Sequence, residues 1–170
     1  MSKTFAKSPK KSKLIIMSIK SIVFSLLMSI LIVPASFGGS LGAGISIGYP
    51  TGVTLKQIER GSVDGYQGTL GWGFSPHARS LLLQADRVWS WAELSPYQMK
   101  NWWSYYGLGG KLGTTDQYLW AGLRVPVGIQ SFIPLPRHRV EFFAETALVL
   151  LLTPLTTFHL DLCIGGRWYF

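Results

Sequence analysis

From Gly39 onward, apolar and polar side chains alternate with a period of two instead of the 3.6 of a helix. The clearest run is 158–170, with Phe158, Leu160, Leu162, Ile164, Gly166, Trp168 and Phe170 on one side and His159, Asp161, Cys163, Gly165, Arg167 and Tyr169 on the other. Successive strand residues face opposite ways. One face here is therefore continuous hydrocarbon with aromatics near both ends, and the other holds charges and small groups. Residues 41–49 set Ala43, Ile45, Ile47 and Tyr49 against Gly42, Gly44, Ser46 and Gly48. Residues 118–132 set Leu119, Ala121, Leu123, Val125, Val127 and Ile129 against Trp120, Gly122, Arg124, Pro126, Gly128 and Gln130. In 140–150, Val140, Phe142, Ala144, Leu148 and Leu150 oppose Glu141, Phe143, Glu145, Ala147 and Val149.

Weaker strand patterns at 53–58, 63–74, 79–91 and 104–112 raise the expected number of strands to eight. Turn signals separate most of them: Pro50-Thr51-Gly52, Arg60-Gly61-Ser62, Ser75-Pro76, Ser95-Pro96, Gly113 to Asp116, Pro134 to Arg139, and Thr153-Pro154. Roughly 132 residues shared among eight gives about 16 for a strand and its connection, which suits membrane strands of about 9 to 11 residues. Ten strands would leave about 13, which is tight. A helical reading of 146–160 competes for the same apolar residues, but Glu145 and Asp161 bound that run and Pro154 interrupts it.

Composition changes the picture through the N-terminus. Of 16 lysines and arginines, Lys3, Lys7, Lys10, Lys11, Lys13 and Lys20 precede the apolar run 21–33, and Pro34, Ala35, Ser36, Gly38 and Gly39 follow it. This reads as a secretory signal peptide over 1–38, cut between about Ala35 and Ser40, with the exported domain at 39–170. A membrane anchor is the rival reading, although a spanning helix wants about 20 apolar residues. Met17 would also open a complete, shorter leader. Without the leader the charge falls from +8 to about +2, which excludes a nucleic-acid binder. The single cysteine, Cys163, excludes a disulfide scaffold.

Strands with lipid-compatible outer faces must close, because hydrocarbon satisfies no backbone polar group. The expected fold is therefore all-β, an eight-stranded antiparallel transmembrane barrel, whose interior is just wide enough to be filled by side chains. On the favoured register the inward set holds Lys56, Lys111, Arg124 and Arg167 against Asp86, Glu141, Glu145 and Asp161. Four charges of each sign predict a paired network that plugs the lumen. Arg87 does not fit: it falls on the side of Leu81, Leu83, Ala85, Trp89 and Trp91, so the strand is bulged there or Arg87 lies at the membrane boundary.

Leu162, Ile164, Trp168 and Phe170, at two-residue spacing, look like the sorting signal that the barrel-assembly machinery reads in bacterial outer-membrane barrels. With GAGISIGYPTGVTLK, DGYQGTLGWGFS, YYGLGGKLG, LRVPVGIQSF, EFFAETALVLLLTP and LCIGGRWYF, the chain resembles the small outer-membrane barrels of the OmpA/OmpX type over most of 41–170. The resemblance implies an eight-stranded barrel in the outer membrane and no particular activity.

Candidate chemistry is sparse. His159, Asp161 and Cys163 share one face and could converge on a metal, or simply line a polar interior. His77-Ala78-Arg79-Ser80 and His138 fall in connections, and HARS has the wrong spacing to place His and Ser on one strand face. The expectation is a structural or interaction protein with no cofactor, surrounded by outer-membrane lipid and monomeric. A lipid A-modifying enzyme and a narrow gated pore are the alternatives. With both termini in the periplasm, YPTG, SPHA, GTTDQ and TPLTT face outward from the cell. AELSPYQMKNWW and IPLPRHR then face the periplasm, where Trp102, Trp103, Tyr105 and Tyr106 would form an aromatic girdle.

Overall fold

Alternation of apolar and polar side chains gives each strand two chemically distinct faces, and closing the sheet sends one face in and the other out. A computed structural model describes residues 39–75, 78–94, 101–114, 119–153 and 155–170. They form β1 (Ser40–Tyr49), β2 (Thr51–Ile58), β3 (Gly65–Ser75), β4 (Ala78–Leu94), β5 (Trp102–Thr114), β6 (Leu119–Pro134), β7 (Arg139–Thr153) and β8 (Thr157–Tyr169). Each pairs antiparallel with the next, and β1 closes on β8 from Gly42↔Tyr169 to Tyr49↔Leu162. The eight-strand expectation holds, and the helical reading of 146–160 gives way to β7 and β8. The leader at 1–38 lies outside the described residues, as do His77, Pro96, Asp116 and Pro154 of the expected turns.

The connections separate two ends. One end carries the β1–β2, β3–β4, β5–β6 and β7–β8 links; the opposite end carries both chain ends of the barrel and the links at 59–64, 95–101 and 135–138. Strands reach further into these links than the sequence suggests. Leu94 pairs with Trp102 and Pro134 with Arg139, so the long connections expected at 92–103 and 133–139 shrink to 95–101 and 135–138. Ala78 likewise pairs with Ser75, so Ala78 to Ser80 belong to β4 and not to a connection.

Four inward aromatics lie across from a glycine on the neighbouring strand: Tyr105↔Gly128, Trp120↔Gly113, Phe143↔Gly165 and Tyr169↔Gly42. A Cβ at any of these glycines would run into the facing ring. Large rings thus fill a narrow interior by occupying the space left by the absent side chains opposite. At the end bearing the chain termini, Ile58, Phe132 and Tyr169 form an apolar cluster joined by Val63 and Trp103.

Three aromatic positions differ from expectation, for two geometric reasons. Consecutive strand residues cannot share a face, so Tyr105 turns inward and is buried while Tyr106 stays out, and Trp103 packs on the apolar cluster. Tyr49, expected on the outer face, follows Gly48, whose φ of 125° is a left-handed conformation suited to glycine. Thr51 Oγ1 donates to the Gly48 carbonyl at 2.8 Å and tightens this turn. The Tyr49 ring consequently lies 4.4 Å from Lys111 Nζ, at the lumen mouth.

Candidate functional site: the interior charge network

Lys56, Asp86, Lys111, Arg124, Glu141, Glu145, Asp161 and Arg167 all occupy inward positions and are buried. Their strands deliver them in register. Glu141 is directly across from Arg167 on β7 and β8, and Asp86 is two strands from Arg124 with Gly109 between them. A side chain at Gly109 would collide with Asp86, so this glycine opens the path between the two charges.

Toward the apolar cluster, Glu141 collects three donors. Lys56 Nζ reaches Oε1 at 2.9 Å, Arg167 Nη1 lies 3.1 Å from both oxygens, and the Tyr169 hydroxyl donates to Oε2 at 2.6 Å. Arg167 also donates to Thr54 Oγ1 at 3.1 and 3.0 Å and stacks over Phe143 at 3.9 Å. Lys56 also donates to Gln130 Oε1.

Nearer the opposite mouth the roles invert, and one arginine serves several carboxylates. Arg124, fully buried, contacts Asp86 and Glu145 at 2.5 Å each and Asp161 at 3.6 Å. Lys111 pairs with Asp161 at 2.6 Å. Gln67 joins the halves: its amide nitrogen donates to Asp86 at 3.2 Å and Glu145 at 2.7 Å, while its carbonyl accepts from Arg167 at 3.2 Å. Tyr105 adds a donor to Glu145 at 2.8 Å. A buried ion is tolerable when opposite charge replaces its water, and every one of these eight has an oppositely charged partner.

Sequence reasoning missed Thr54, Gln67, Tyr105, Gln130 and Tyr169 as members. The signal was parity: Thr54 lies two residues before Lys56, and Tyr169 two after Arg167, each on the same strand face. Gln67 sits directly across from both Lys56 and Asp86.

The remaining candidates fall elsewhere. His159 Nε2 lies 3.2 Å from Asp161 Oδ1, but the other oxygen of that carboxylate is held by Lys111, and a carboxylate neutralised by an ammonium is a poor cation ligand. Cys163 is buried, and among the described residues no group of three or more His, Cys, Asp or Glu is arranged to hold a metal. His138 lies in the 135–138 link, but its ring packs 5.2 Å from Trp168. Arg87 sits in unbroken register between Tyr66 and Leu108, and the β4 irregularity falls later, between Ser90 and Ala92.

Leu162, Ile164, Trp168 and Phe170 all point outward and are exposed. In comparisons with known proteins the chain matches no family model, no curated protein and no solved structure.

Proposed function

We propose that this chain is an outer-membrane β-barrel with a structural or interaction role, whose lumen is sealed by its own side chains. The observation that carries the reading is the outer face of β8. Phe158, Leu160, Leu162, Ile164 and Trp168 are all exposed, with Leu160 69% accessible, on a wall that has no free edge between β1 and β8. From Phe158 to Trp168 the strand advances ten residues, which at about 3.3 Å each and a tilt near 40° rises about 25 Å, the height of a membrane barrel's apolar band. Water would strongly disfavour such a face; hydrocarbon accommodates it.

The family of small OmpA/OmpX-type barrels offers the same architecture and remains part of this proposal. So do export by the leader and assembly through Leu162, Ile164, Trp168 and Phe170. The paired interior and the apolar cluster at one end favour a plugged barrel over a gated pore, since opening a path would require separating Arg124 from Asp86 and Glu145 in low dielectric.

Planar-bilayer recording tests the sealed lumen: purified barrel should insert without steady conductance, and a persistent open level would contradict it. Lipid A mass spectra from cells lacking the protein should match those of the parent; an altered acylation pattern would favour the enzyme reading.

A further inference from the structure

The lipid-facing wall carries a cation that the interior network does not use. Arg87 projects outward from β4 between Ala85 and Trp89, and its guanidinium lies 4.5 Å from the Tyr66 ring and 5.8 Å from that of Trp89. Trp89 in turn stacks on Tyr106 at 5.6 Å across the β4–β5 pair. Guanidinium stacking on aromatic faces fixes the fork of donors without consuming them. Its ion pair, Nη1 to Glu59 at 2.6 Å, is with a carboxylate that is 52% exposed, an association of little strength in water.

A second feature adjoins it. On the mid-barrel side of Arg87, one lateral row of outward positions reads Gly68, Ala85 and Gly110 on β3, β4 and β5. Packing does not demand these glycines: a Cβ on Gly68 would meet only the Gln84 carbonyl at 3.5 Å, and one on Gly110 only the Gly122 carbonyl at 3.9 Å. The next outward row, Leu70, Leu83 and Leu112, bounds this low row on its far side, leaving a shallow apolar strip that runs laterally across β3, β4 and β5 beside the arginine.

We propose that Arg87, held between Tyr66 and Trp89, binds the phosphodiester of an anionic phospholipid in the leaflet at the end of the barrel bearing the chain termini, with an acyl chain lying over Gly68, Ala85 and Gly110. This rests on the membrane reading above. Arginine presents a planar fork to phosphate oxygens, and aromatic rings of this kind are stable at the boundary between hydrocarbon and headgroups. Glu59 competes for the same guanidinium, so the ion pair and the lipid are alternative partners.

The test is native mass spectrometry of barrels released from nanodiscs containing equal phosphatidylglycerol and phosphatidylcholine. Wild type should retain phosphatidylglycerol preferentially, Arg87→Gln should retain about tenfold less, as expected for a lost charge-assisted hydrogen bond, and Glu59→Gln should retain more. Gly110→Leu should reduce retention with Arg87 intact. Millimolar inorganic phosphate should not displace the lipid. If Arg87 serves only its pair with Glu59, the two charge variants change retention alike or not at all, and that result overturns the site. A barrel that inserts normally yet shows no preference overturns this proposal alone, whereas one that enters no nanodisc overturns the membrane reading with it.

Discussion

Tyr105 on β5 lies directly across from Gly128 on β6, with its ring where a side chain at Gly128 would stand and its hydroxyl donating to Glu145 at 2.8 Å. The glycine makes room for the ring, and the ring carries a donor to a buried carboxylate. Gly128→Val should therefore destabilise the folded barrel by about 1–3 kcal/mol or more through overpacking, whereas Gly110→Ala, which faces open space, should be close to neutral. Urea unfolding in detergent checks both, and equal midpoints would contradict the packing argument. Tyr105→Phe should cost about 1.5–3 kcal/mol, the range for a hydrogen bond to a charged group.

The network predicts a sharp contrast between two arginines. Arg124→Ala leaves Asp86 and Glu145 buried without their cation and should cost about 3 to 5 kcal/mol. Arg137→Ala, at an exposed position in the 135–138 link, should shift the urea midpoint little. Indistinguishable midpoints would mean that the interior charges are not coupled as described.

Much of this was legible in the sequence because strand parity is a two-state variable. Within each strand, alternation against an apolar outer face places Lys56, Asp86, Arg124, Glu145 and Asp161 inward, each independently of the others. What parity does not encode is which strands meet across the lumen, so the bridging position of Gln67 between Arg167, Asp86 and Glu145 was not readable. Nor was the inward turn of Tyr49, because it depends on the left-handed backbone at Gly48, and a glycine does not announce its φ. Trp103 and Tyr105 were grouped with Trp102 and Tyr106 by composition, although adjacent strand residues must diverge.

Orientation gives a third prediction. If the barrel's chain ends lie on the periplasmic side, as proposed, the 135–138 link faces the periplasm as well. An epitope inserted beside Arg137 should be inaccessible to antibody on intact cells and labelled once the outer membrane is opened. Labelling of intact cells would invert the map.

The outward row of Leu162, Ile164, Trp168 and Phe170 predicts a biogenesis defect instead of a stability defect. Phe170→Ser should lower the amount of assembled barrel in cells while leaving the unfolding midpoint of refolded protein nearly unchanged, since Phe170 is exposed. Normal cellular levels would remove these residues from any role in assembly.

The central claim is a closed barrel residing in the outer membrane, and its most direct test is electrophoresis of the outer-membrane fraction with and without boiling. A barrel without a free edge keeps its hydrogen bonds in SDS until heated, so the unboiled protein should run as a compact, faster species that shifts on boiling. Recovery of the chain in the inner membrane, with one mobility before and after heating, would contradict the account.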